Sequence, residues 1–87
     1  MYKLNKNVKF TQLKKYGFKP DKDNYSKDYT RQINNCWYDE ICIDRQDRCI
    51  YRATDVVGYV EIDSDSDEVE KYIQDLINDN LVEKVEE

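Results

Sequence analysis

Histidine is absent from this 87-residue sequence, and glycine, proline and cysteine are scarce. Without histidine, no Ser-His or Cys-His pair can activate a nucleophile. The two glycines, Gly17 and Gly58, lie too far apart to build a glycine-rich phosphate-binding loop. No apolar run approaches the length of a membrane span, and the N-terminus has no apolar signal-peptide core. The sequence therefore predicts a cytosolic protein that is not an enzyme.

The three cysteines, Cys36, Cys42 and Cys49, are odd in number and show no Cys-x-x-Cys spacing. A metal or redox site is one interpretation of them, and packing as small, reduced hydrophobic residues is the other. The spacing and the lack of histidine favour packing. We therefore expect no metal site and no cofactor.

Positive and negative charges are concentrated in different parts of the chain. Residues 1–22 contain seven lysines and one aspartate, whereas residues 55–87 contain twelve acidic residues and two lysines, within an overall charge of −5. The basic segment has no arginine or aromatic stacking motif that would read bases, so direct nucleic-acid binding is disfavoured. The acidic segment is either a solvated surface or a contact for a basic partner.

Length and aromatic content indicate a single folded domain spanning residues 1–87. Apolar residues make up only 39% of the chain, yet eight tyrosines, two phenylalanines and one tryptophan can each bury a large area. This composition favours a folded domain with one modest core over a disordered chain.

The central segment predicts a β-hairpin. Its strands are Trp37–Asp44 and Arg48–Arg52, joined by a three-residue loop, Arg45–Asp47, in which Asp47 takes the left-handed conformation. This register places opposite charges across the strands on one face of the hairpin and apolar side chains on the other face. The apolar face must pack against another element of the chain. The predicted pairs are Asp44–Arg48 and Glu40–Arg52 on the charged face, and Ile43–Cys49 and Ile41–Tyr51 on the apolar face.

Two helices are predicted on either side of the strands. Thr11 can cap a short helix that ends where Gly17 takes the left-handed conformation. Near the C-terminus, an apolar stripe at helical spacing predicts a long helix from about Asp67 to Asn78, with Asp67 as its cap. The stripe consists of Val69, Tyr72, Ile73, Leu76 and Ile77.

Alternating patterns predict two further strands, Tyr25–Ile33 at the sheet edge and Tyr59–Ile62. Residues 1–9 are predicted to be an irregular or short extended lead-in, and the segment after Asn80 an apolar tail that can fold back on the core. Together the elements predict an α+β domain. It has a short N-terminal helix, a four-stranded antiparallel meander, and a long C-terminal helix packed on one sheet face.

The acidic residues at the start of the long helix are the first candidate site. Their alternation is similar to that of a calcium loop, but Glu68 stands where that loop needs glycine and Gln74 where it needs glutamate. These residues either cap and solvate the helix start or bind a basic partner. The candidates are Asp63, Asp65, Asp67, Glu68 and Glu70.

Three tyrosines form the second candidate site. Tyr25, Tyr29 and Tyr38 either lie on an exposed sheet face, where tyrosine is an effective interface residue, or fill a core that has few leucines and isoleucines.

Two segments carry a resemblance to a known group of proteins. The hexapeptide Leu13–Phe18 (LKKYGF) and the segment Asp75–Val85 (DLINDNLVEKV) lie on either side of the hairpin. In this order they resemble small, uncharacterised phage and prophage proteins of low-GC Gram-positive bacteria. Where those proteins typically have glycine, this chain has Asn80. The resemblance implies a mobile-element protein in the host bacterial cytosol, and it assigns no functional residue.

The resulting hypothesis is a non-enzymatic phage-type protein that binds a basic surface of a host protein. Phage proteins similar in size and acidity suggest an inhibitor of a nucleic-acid-handling defence enzyme, of the anti-CRISPR or anti-restriction type, that acts by acidic nucleic-acid mimicry. The alternative is a structural or accessory phage protein that self-associates into a homo-oligomer.

Overall fold

The computed structural model describes residues 1–29, 37–56 and 59–85, and within these ranges it contains seven strands and three short helices. One helix is a 3₁₀ helix, and the other two are α-helices of five residues each. In chain order the elements are β1 (Tyr2–Leu4), the 3₁₀ helix (Phe10–Tyr16), β2 (Lys19–Pro20), β3 (Asn24–Tyr29), β4 (Trp37–Asp44), β5 (Cys49–Val56), β6 (Tyr59–Asp63), α1 (Ser66–Glu70), α2 (Gln74–Asn78) and β7 (Val82–Lys84).

All strands belong to one antiparallel sheet in the order β2-β3-β4-β5-β1-β7, with β6 also paired to β5. One side of β5 pairs with β4 along most of its length. The other side pairs first with β1, at Cys49 and Ile50, and then with β6, from Arg52 to Val56. Strands β2, β6 and β7 therefore lie at edges of the sheet.

The predicted long C-terminal helix is wrong, because the chain forms two helices, α1 and α2, with a break between them. At the break, Ile73 has φ −122° and ψ 27°, outside the helical region. The side-chain amide of Gln74 donates to the carbonyl oxygen of Glu70 over 3.0 Å. In a continuous helix that carbonyl would accept from the backbone N–H of Gln74.

The predicted α+β class and its four-stranded meander are also wrong, since the chain is mainly a seven-stranded sheet with short helices. The missed strands are β1, β2 and β7. Two or three residues carry too little periodic pattern to be read locally, and β1 and β7 are defined by pairing with each other across almost the whole chain. Strand β3 is described from Asn24 to Tyr29, and the remainder of its predicted range, residues 30–33, lies outside the described residues.

The hairpin formed by β4 and β5 has a different register from the predicted one. Ile43 pairs with Ile50 instead of Cys49, so each predicted cross-strand pair is shifted by one residue. Arg48, not Asp47, takes the left-handed conformation, with φ 64°, and its N–H donates to Asp44 O over 3.1 Å. The extra loop residue changes which β5 side chains share a face with Ile41 and Ile43.

The three helices cover one face of the sheet and enclose the core. The 3₁₀ helix ends at Gly17, whose φ of 93° confirms the predicted left-handed stop, whereas its cap is Lys9 instead of Thr11. Despite the helix break, Val69, Ile73 and Leu76 of the predicted apolar stripe are buried, and Tyr72 and Ile77 are partly buried. Residues that are fully or almost fully buried in this core are Leu4, Leu13, Ile41, Ile43, Ile50, Val69, Ile73 and Leu76.

Candidate protein-binding surface

The acidic segment begins in β6 and continues into α1 through two side-chain turns. The Asp63 carboxylate accepts from the N–H of Asp65 (2.8 Å), and the Asp65 carboxylate accepts from the N–H of Asp67 (2.9 Å). Asp65 is therefore the helix cap, and the prediction that Asp67 is the cap is wrong. The cap falls two residues earlier because α1 begins at Ser66. The Asp67 side chain remains exposed at the first turn, where the helix dipole favours a negative charge.

Two of the acidic candidates form ion pairs with the sheet. The Arg52 guanidinium on β5 lies 3.9 Å from the Asp63 carboxylate and 3.4 Å from that of Glu68. Lys71 also lies 3.1 Å from Glu68. Burial by itself lowers the pKa of Arg52, but contacts with Tyr72 and Glu68 outweigh it and raise the pKa. Glu68 therefore attaches α1 to the sheet, whereas Asp63 pairs with Arg52 between β6 and β5.

Glu70 points toward the first strand rather than away from the molecule. The pKa of the Tyr2 hydroxyl is raised by burial and then by the Glu70 carboxylate, with which it interacts through charge and a hydrogen bond. Among the described acids of β6 and α1, Glu61, Asp65 and Asp67 then remain exposed and in no ion pair within 4 Å.

Of the three tyrosine candidates, Tyr25 is the one whose side chain lies within the part of the chain that the structure describes. Tyr25 is half-buried on the helix-covered face, where its ring stacks on Phe10 with centroids 5.1 Å apart. The Arg45 guanidinium lies 4.9 Å from the same ring. Tyr29 and Tyr38 belong to β3 and β4, but their side chains lie outside the described residues.

Sequence reasoning missed two exposed apolar side chains in β6. Val60 is 57% exposed and Ile62 is 68% exposed. Among the described residues, these two are the exposed large apolar side chains. Ile62 pairs with Ala53 of β5, on the sheet face opposite the helices. The alternation in Tyr59–Ile62 already placed Val60 and Ile62 on one face. The sequence pattern does not show that this face is uncovered, because that depends on the position of β6 at the sheet edge.

These apolar residues and the neighbouring acids lie along one edge of the sheet, which we call the acidic edge. The apolar pair lies on one face of β6, Glu61 and Asp63 lie on the other, and the acids of α1 follow directly along the chain. A partner that reaches both faces of this edge strand would meet apolar and acidic side chains together. The acidic edge consists of Val60, Glu61, Ile62, Asp63, Asp65 and Asp67.

The described thiols show no arrangement for metal or redox chemistry. Cys42 and Cys49 are free, and Cys36 lies outside the described residues. Burial, and to a smaller extent the nearby Glu40 carboxylate, together raise the pKa of the Cys42 thiol to about 12. Within the ranges described, no group of three or more Cys, Asp or Glu side chains could hold a metal ion.

Comparison with known proteins gave no relative for this chain. No family model, curated protein or solved structure matches it. Among its described residues, none of the helices has the length and apolar character required to cross a membrane.

Proposed function

We propose that this chain is a non-enzymatic binding protein whose acidic edge contacts a basic surface of another protein. The observation that carries the proposal is the exposure of Val60 and Ile62 beside carboxylates that are not in ion pairs. A solvated helix start explains acidic residues, but it does not explain two large apolar side chains exposed next to them. A partner would bury the apolar pair and pair its own cations with the acids.

The charge of the acidic edge defines the chemistry of the partner. Glu61, Asp65 and Asp67 would repel phosphate groups, so the surface suits lysine- and arginine-rich protein better than nucleic acid. Opposite charge on the two surfaces would also accelerate their encounter. In the phage setting that the sequence resemblance implies, the partner is a host protein in the bacterial cytosol. A nucleic-acid-handling defence enzyme, inhibited through occupation of its basic groove, is the specific form of this proposal.

Self-association through the acidic edge is the weaker alternative. A symmetric dimer places the same patch of both copies in contact. Glu61 and its neighbouring acids would then face the same acids of the second copy, at a cost that the apolar pair alone would have to offset. The expected oligomeric state in solution is therefore a monomer, which light scattering can measure.

A pair of charge-reversal variants tests the proposal. The first is Glu61→Lys with Asp67→Lys, which removes two exposed acids from the acidic edge. The matched control is Asp23→Lys with Glu83→Lys, which changes the net charge equally at exposed positions elsewhere. Neither variant breaks an ion pair that the described structure contains, so far-UV circular dichroism should show unchanged folding for both.

Immobilised wild-type protein and both variants are then exposed to a lysate of a low-GC Gram-positive bacterium. We expect wild type and control to retain the same basic protein at about 0.1 M salt and to lose most of it at about 1 M, where the screening length falls to about 3 Å. The Glu61→Lys, Asp67→Lys variant should retain little of it at either salt concentration. Equal retention by both variants would refute the role of the acidic edge.

A further inference from the structure

Strand β6 has one side without a partner strand in the described chain. It pairs with β5 from Tyr59 to Asp63, and no other described strand lies beside it. In an antiparallel sheet, every second residue of such an edge strand directs its N–H and C=O away from the sheet. Among the described residues, Val60, Glu61 and Ile62 form no backbone hydrogen bond to a backbone group outside the strand ladders. An extended segment of another protein could therefore pair with this edge.

The two faces of β6 define the side chains that such a segment needs. A strand added to β6 continues the sheet, so its residues alternate between the face of Val60 and Ile62 and the face of Glu61 and Asp63. Apolar side chains of the segment fit beside Val60 and Ile62, and basic side chains fit beside Glu61 and Asp63. The complementary segment therefore alternates apolar and basic residues over about five positions.

A second copy of this chain does not offer a suitable strand among its described edges. Antiparallel pairing of two β6 strands would bring Glu61 of each copy close to Glu61 of the other, which is unfavourable for like charges. Strand β2 has only two residues, and Pro20 has no N–H to donate. Strand β7 would add the exposed acid Glu83.

We infer that the partner binds the acidic edge by β-strand addition, contributing an extended segment of alternating apolar and basic residues that pairs with the outer side of β6. This inference rests on the proposed function and deepens it, because it states how the partner would bind. The backbone of β6 supplies hydrogen bonds, Val60 and Ile62 supply apolar contact, and Glu61 selects a cation.

The probe for this inference is an uncharged-ended peptide of about eight residues that alternates lysine and valine, long enough to cover β6. Two control peptides have the same composition. One places all lysines before all valines, and the other is N-methylated at every second residue, so that it loses donors on one side. Two-dimensional ¹⁵N NMR of the full chain gives both the residues contacted and the hydrogen-exchange rates of their amides.

We expect the alternating peptide to shift the amide signals of residues 59–63 and to slow the exchange of alternate β6 amides by about tenfold or more. Block order should weaken binding, and methylation on the side that faces β6 should abolish the protection. Glu61→Lys should weaken binding of the alternating peptide, whereas Glu83→Lys should leave it unchanged.

Two results would overturn the inference. One is no binding of the alternating peptide to residues 59–63, and the other is binding with unchanged exchange of every β6 amide. Strand addition fails in either case, but the proposed function still stands if charge reversal at Glu61 and Asp67 abolishes capture of the basic protein. If charge reversal has no effect on that capture, the proposed function itself fails.

Discussion

Arg48 connects the hairpin loop to the N-terminal segment and offers a sharp test of the loop geometry. Its Nη1 donates to the carbonyl oxygens of Asn5 and Val8, each over 2.7 Å. Its guanidinium lies 4.9 Å from the centroid of the Phe10 ring. Its own backbone is left-handed, with φ 64°, and its carbonyl accepts from Leu4 N over 2.9 Å. The side chain of Arg48 therefore stabilises the fold, whereas the left-handed conformation of its backbone destabilises it.

The two contributions can be separated with Arg48→Ala and Arg48→Gly. Hydrogen bonds to a charged donor are worth about 1.5–3 kcal/mol each, so loss of two part-buried ones should destabilise both variants by at least about 2 kcal/mol. A left-handed backbone costs a residue with a Cβ about 1–2 kcal/mol, and glycine avoids this cost. We therefore expect Arg48→Ala to be less stable than Arg48→Gly by about 1 kcal/mol.

The free energy of unfolding can be measured by urea titration followed by circular dichroism, with a constant m-value as the check on two-state behaviour. Arg48→Lys serves as a third variant, because lysine keeps the charge but lacks the planar guanidinium that reaches two carbonyls and lies on a ring. We expect it to be destabilised, though less than Arg48→Ala. A loss below about 0.5 kcal/mol in Arg48→Ala, the range of a neutral surface change, would refute this account of the loop.

Two further predictions concern burial and pH. Leu76→Ala should lower the free energy of unfolding by about 2–5 kcal/mol, because Leu76 is 0% exposed. Ile62→Ala should change it by less than about 0.5 kcal/mol, because Ile62 is 68% exposed. Equal losses for the two variants in urea titrations would contradict the assignment of the buried and exposed faces. Because the folded-state pKa of Cys42 is raised from 9.0 to about 12, its contribution to stability should be constant below pH 9 and be lost as pH rises toward 12. A stability–pH curve of equal slope for wild type and Cys42→Ala across that range would contradict this expectation.

The features that could be predicted from the sequence are those that depend on near neighbours. Gly17 follows a short helical segment and is the residue type best suited to a left-handed stop, and it takes that conformation. The spacing of Val69, Ile73 and Leu76 placed them on one buried face, and they remain buried although the helix is interrupted. Local spacing indicates which side chains share a face, but it does not show that the Gln74 side chain competes for a backbone carbonyl.

The features that could not be predicted depend on distant parts of the chain. Arg48 adopts a conformation unusual for arginine, and its side chain binds carbonyls about forty residues away. The hairpin register therefore depends on tertiary contacts, and the cross-strand charge pairs that predicted another register are not formed. The same limit applies to the candidate surface. Local charge pointed to the acids, but the partnership of Asp63 and Glu68 with Arg52, and the exposure of Ile62, followed only from the position of β6.

The position of β1 has a consequence for the order in which the chain folds. This strand precedes the other described strands in the chain, yet it lies inside the sheet, between β5 and β7. Its partner on one side begins at Cys49, and its partner on the other is Val82–Lys84, so both pairings join distant parts of the chain. Closing such long loops slows folding. During synthesis, residues 2–4 therefore have no strand to pair with until β5 has followed them, and this part of the sheet is complete only when β7 is added.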